Sequence, residues 1–89
     1  MYRVEWLQSA LDELADLWTR ADSTQRQAIT SANHEVEQRL QTDPHNEGES
    51  RSRGRKITFV PPLAITFRIE ADGQTVTVLH VRVYGKRRP

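Results

Sequence analysis

The sequence predicts an α+β domain: a helical hairpin packed on a small, mainly antiparallel four-stranded sheet, in the order β-α-α-β-β-β. Three observations predict it. Residues 2–6 alternate apolar and polar side chains with the period of a strand. Residues 7–42 carry apolar side chains at spacings of three and four, the period of amphipathic helices. After residue 55 the period returns to two and holds, between turn signals, to residue 84. Helices segregated in sequence from a run of strands belong on one side of a sheet. The 89 residues and absence of Cys suit one domain, 1–89, with a core that forms without a disulfide staple.

Taken in order, the first strand places Tyr2, Val4 and Trp6 on one side and Arg3 and Glu5 on the other. Leu7, Ala10, Leu11, Leu14, Leu17, Trp18 and Ala21 form the stripe of the first helix, with Ser9 as its expected N-cap and Asp12, Glu13 and Asp16 on its outer face. Asp22-Ser23-Thr24 breaks the pattern and offers the next cap. The second helix spans about 24–42 and buries Ala28, Ile29, Ala32, Val36 and Leu40. Asp43-Pro44 stops it, because a residue before proline avoids the helical region. Residues 43–55, DPHNEGESRSRGR, read as an exposed loop. Ile57 and Phe59 mark the second strand, and Val60-Pro61-Pro62 forces a turn or a strand edge. Ile65, Phe67 and Ile69 mark the third strand. Ala71-Asp72-Gly73-Gln74 is a hairpin signal, and residues 76–84 form a long, apolar, central strand.

Composition excludes several classes. No run approaches the ~18 apolar residues of a membrane span, and MYRVEWLQSALDEL has no apolar core behind a basic leader. A cytoplasmic protein is therefore expected, with no membrane partner. The net charge of +1 conceals an asymmetry: residues 1–49 hold four basic and ten acidic groups, −6, and residues 50–89 hold nine basic and two acidic groups, +7. Such a division implies that one surface meets something anionic.

Three kinds of site could sit on this pattern. His34, His45 and His80 share no ligand spacing, so no metal is expected, and no phosphate or dinucleotide loop calls for a cofactor. Asp12, Glu13, Asp16, Glu35 and Glu37 follow ordinary helix-surface patterning and read as solvated acids rather than a hydrolytic pair. The basic half is the strongest candidate. Arg51, Arg53, Arg55 and Lys56 lead into the second strand, Arg68 projects from the third, and Arg82, Lys86, Arg87 and Arg88 end the fourth. Neighbouring strands bring these ends together, and the planar fork of Arg suits phosphate. By spacing alone this is a basic-faced domain that binds nucleic acid or an acidic protein; the plain alternative is that the charges only keep a sheet soluble and protect its edge.

The whole pattern resembles the RelE/ParE superfamily of bacterial type II toxins. The likeness rests on the strand YRVEW, on Ala10, Leu11 and Leu14 in the first helix, and on the Asp43-Pro44…Gly48 break. A basic strand follows, then Ile65 and Phe67, then Val76, Val78, Leu79 and Val81, and finally Gly85-Lys86-Arg87. The resemblance implies a toxin, often linked to plasmid stabilisation, held inactive by a cognate antitoxin that wraps an amphipathic segment over the basic face. RelE-like members cut messenger RNA on the ribosome, with the RNA 2′-hydroxyl attacking the adjacent phosphodiester; ParE-like members poison DNA gyrase.

Carried over residue by residue, the likeness implies Arg87 as phosphate and transition-state stabiliser and Arg55 and Lys56 as the basic catalytic positions of the second strand. Arg51, Arg53, Arg68, Arg82, Lys86 and Arg88 are expected to contact RNA or antitoxin. Two family features are missing. Counting three back from Phe67 gives Ala64 where RelE-like enzymes carry Arg, and no Tyr follows Gly85-Lys86-Arg87. The expected function is therefore a ribosome-associated mRNA endoribonuclease that inhibits translation, with a gyrase inhibitor or a non-catalytic RelE-fold protein that binds antitoxin or RNA as the alternative.

Overall fold

β1 (Arg3–Trp6) buries Val4 and Trp6 only in part, because it is an edge strand with one neighbour. In this computed structural model, which describes residues 1–84, that neighbour is the last strand, β5 (Thr75–Val83). The pairing is parallel, with Val4 opposite Val76 and Trp6 opposite Val78. The sheet is mixed and has five strands in the order β1-β5-β4-β3-β2, not the four expected. The additional strand, β2 (Glu49–Ser50), lies in the expected loop and pairs antiparallel with β3 (Arg55–Val60). Two polar residues carry no periodicity, which is why the sequence pattern could not show it. Gly48 makes it possible: its φ is +72°, and a Cβ there would stand 2.2 Å from the Ile57 carbonyl oxygen.

α1 (Gln8–Arg20) begins before the expected Ser9 cap. The Leu7 amide donates to the Val78 carbonyl at 3.1 Å, extending the edge pairing, while the Leu7 carbonyl accepts from Leu11 at 3.0 Å. Ala10 is fully buried, and Leu14, Leu17 and Ala21 pack beside it. Leu11 and Trp18, expected in the same stripe, are about two-fifths exposed, since the seven apolar positions span more than one helix face. The Arg26 guanidinium stacks 4.3 Å from the Trp18 ring and donates to the Trp18 and Thr19 carbonyls, capping the end of α1.

α2 (Ser23–Thr42) starts with a capping box: the Gln25 amide donates to Asp22 at 2.8 Å, and the Asp22 amide to the Gln25 side chain at 2.9 Å. It buries Ile29, Ala32, Val36 and Leu40 as expected, whereas Ala28 is exposed. Pro44 ends it and is itself buried.

β3 joins β4 (Leu63–Ile69) through the two-residue turn Pro61-Pro62, with Val60 opposite Leu63. β4 joins β5 through a turn in which Asp72 accepts from the Gln74 and Thr75 amides and Gly73 has φ +71°. One sheet face carries Val60, Leu63, Ile65, Phe67, Val76, Val78 and Val81 and packs against the helices. A bulge at Leu79 shifts the β4–β5 register, so that Phe67 faces Val78 while Thr66 faces His80.

Candidate nucleic-acid interface

Among the described residues, no helix covers the other face of the sheet. Alternation fixes its side chains in rows across the strands. Arg55, Arg68 and Thr77 form one row, Ile57, Thr66 and His80 the next, and Phe59, Ala64 and Arg82 the third. Phe59 and Tyr84 stack edge to face at 4.8 Å beside the third row.

Arg55 and Arg68 face each other directly, an arrangement that repels unless an anion lies between or beside them. Arg68 has such a partner. Its Nη2 and Nε meet Glu70 at 3.1 and 3.2 Å, and the Thr77 hydroxyl donates to the same carboxylate. The Thr77 hydroxyl and then the Arg68 guanidinium hold the Glu70 carboxyl below the usual carboxylate range. Among the described residues, the Arg55 guanidinium donates only to the Ser52 carbonyl, at 3.3 Å.

Arg82 is held at the opposite flank of the face. Its Nη1 stands 2.5 Å from Glu13, whose other carboxylate oxygen accepts the Val81 amide at 2.9 Å. Glu13 was expected on the solvated face of α1; instead it reaches the edge of β5 beyond the end of β1 and takes the place of a strand neighbour. Partial burial pushes the Glu13 carboxyl up, but the Val81 amide and Arg82 outweigh it and hold the carboxyl below its ordinary value. The same carboxylate lies 3.6 Å from His80 Nδ1.

The other predicted cations do not all join this face. Lys56 neighbours Arg55 in one strand and therefore points the opposite way; its Nζ donates to the His45 carbonyl at 3.1 Å. The implied catalytic pair Arg55 and Lys56 is thus divided between two faces. Arg51 pairs with Glu49 at 3.0 Å, and Arg53, with φ +63°, sits exposed in a single turn before β3. Among the described residues, Arg53, Arg55 and Lys56 have no carboxylate partner. Lys86, Arg87 and Arg88 lie outside the described residues. No cluster of three metal-ligating side chains occurs among the described residues, nor any helix long and apolar enough to cross a membrane.

A helical hairpin on one face of a mixed sheet, with arginines and a histidine on the open face, defines a small α+β domain with a basic sheet surface. Residues 4–84 match the family described as ParE toxin of type II toxin-antitoxin system, parDE, and the chain belongs to that family. It is a toxin of a type II toxin–antitoxin system. No curated protein sequence matches it.

Solved structures share the fold at low identity. The chromosomal ParDE system of P. aeruginosa superposes with a TM-score of 0.75 at 16% identity, covering 96% of this chain and 98% of that one. The RelBE2 toxin–antitoxin complex of Mycobacterium tuberculosis gives a TM-score of 0.72 at 20% identity, covering 93% and 98%. The isolated E. coli RelE toxin gives 0.66 at 14% identity, covering 98% and 88%.

Proposed function

We propose that this toxin acts in the cytoplasm as a ribosome-associated mRNA endoribonuclease, held inactive by a cognate antitoxin. The observation that carries the reading is the Arg55–Arg68 pair: two guanidiniums opposed on an open sheet face, one of them without a carboxylate among the described residues. An RNA phosphate between them relieves their repulsion and accepts their hydrogen bonds. Arg82 continues the track along the face, and Phe59 and Tyr84 offer rings for base stacking. Arg87, with Lys86 and Arg88, supplies further phosphate contacts and stabilises the charge that develops as the 2′-oxygen attacks phosphorus. The structures of ParDE and RelBE2 support an antitoxin partner, whose acidic, amphipathic segment competes for the same face.

Induced expression of the toxin alone should arrest growth and produce new mRNA 5′ ends at ribosome-occupied codons; co-expression of the antitoxin should suppress both. Normal growth at high expression contradicts the reading.

A second reading, inhibition of DNA gyrase, is favoured by Ala64. It occupies the middle of the third row, between Phe59 and Arg82, where the RelE-like pattern calls for a cation. Inhibition of gyrase supercoiling by the purified toxin, with intact mRNA in arrested cells, selects that reading.

A further inference from the structure

We propose that His80 is the general base of the RNA-cleavage reaction and that Glu13 is its positioning residue. The assignment rests on the RNA-cleavage reading above and deepens it. His80 stands in the middle row of the open face, opposite Thr66 and flanked by the Arg68 and Arg82 rows, and its side chain is 46% exposed. Its Nδ1 faces the Glu13 carboxylate at 3.6 Å. That carboxylate is fixed from two other sides, by the Val81 amide and Arg82, so it cannot follow the imidazole elsewhere.

A carboxylate beside Nδ1 favours the tautomer with its proton there. Nε2, across the ring, then presents its lone pair to the open face, where the backbone of an RNA strand bound along Arg55, Arg68 and Arg82 would pass. A separation of 3.6 Å exceeds a formed hydrogen bond, and such contacts in ligand-free sites commonly tighten when substrate binds. The bulge at Leu79 matters here: without the extra residue, the register would set Leu79 rather than His80 opposite Thr66.

The 2′-oxygen forms a bond to phosphorus as its proton passes to His80 Nε2. The P–O5′ bond breaks, and its electron pair leaves on the 5′-oxygen, which takes a proton from water. The products are a 2′,3′-cyclic phosphate and a 5′-hydroxyl, and the imidazolium returns its proton to solvent. Glu13 balances the imidazolium charge while it lasts.

Ribosome-dependent cleavage of an mRNA by the purified toxin tests this. His80→Ala should lower the rate by about 100- to 10,000-fold, the usual worth of a positioned base, and added imidazole should restore part of it. A His80→Ala toxin that cleaves as fast as the unaltered one, or one that is inactive and gains nothing from imidazole, overturns the role of His80 and leaves the nuclease reading standing. An unaltered toxin that never cleaves ribosome-bound mRNA overturns the nuclease reading itself. Nitrogen-15 NMR of the unaltered chain needs no variant to fold: the Nδ1–H tautomer of His80 is expected, Glu13→Gln should reduce its share, and a predominant Nε2–H tautomer in the unaltered chain overturns the proposal.

Discussion

Arg55 and Arg82 lie on one face of one sheet, on either side of β4, and meet different surroundings. Arg82 is clamped to Glu13, a carboxylate delivered by α1 from 69 residues away in sequence. Arg55 is opposed by a like charge and, among the described residues, its guanidinium is hydrogen-bonded only to a loop carbonyl. Arg82 already has a carboxylate within the protein, which joins α1 to β5 and partly neutralises the charge that Arg82 offers to RNA. The Arg55 flank is left incomplete, and its charge is available to an anion from outside. A basic residue count treats the two alike, whereas the carboxylate beside Arg82 and its lack beside Arg55, among the described residues, make Arg55 the stronger contact for an outside anion.

The largest disturbance removes the platform both flanks share. Phe67 is fully buried between them on the core face, and Phe67→Ala should cost about 3–5 kcal/mol, seen as a large fall in the thermal midpoint. Next comes the clamp. Glu13→Ala leaves the Val81 amide without its partner and should destabilise by about 1–3 kcal/mol in denaturant titration, with RNA affinity per folded molecule little changed.

Arg55→Ala should do the reverse: the denaturation midpoint stays near that of the unaltered chain, while the slope of log affinity for RNA against log salt falls by about one phosphate contact. If Arg55→Ala unfolds the chain, or Glu13→Ala abolishes RNA binding without unfolding it, the contrast between the flanks is broken.

The smallest effect is that of acid. Glu13, Glu70 and Asp72 all have folded pKa values below their ordinary ones. Each therefore binds its proton more readily when unfolded, so its contribution is complete above the ordinary carboxylate range near ~4 and is lost as pH falls through the lower folded value. Circular dichroism during acid titration should show stability constant from neutral pH down to that range and declining below it. Glu13→Gln should flatten part of that decline, and Arg55→Ala should leave it unaltered.

Most of the fold was legible because it depends on local periodicity. The Ile29–Leu40 stripe, the Asp22 cap, the Pro44 stop and the Asp72-Gly73 turn each follow from residues within a few positions of one another. What was missed depends on distance or on shortness. β2 is two polar residues whose only signal is Gly48. The Glu13–His80 contact spans α1 and the far end of β5, and no spacing rule connects them. The early start of α1 comes from the Leu7 amide bonding to Val78, a contact from the other end of the chain. The division of Arg55 from Lys56 was legible, since neighbours in a strand always point to opposite faces. The pairing of Arg68 with Glu70 was legible for the same reason, as residues two apart share a face.

The parallel pairing of β1 with β5 also bears on genetics. β5 enters last, between a strand from the start of the chain and the central strand β4 completed just before it. Any truncation before Thr75 leaves β1 with no neighbour and the helices over β2–β4 alone, without Val76, Val78 and Val81 of the core. Cells that escape growth arrest should therefore carry nonsense and frameshift lesions spread over the codons before Thr75, while their missense lesions gather at the core and the open face.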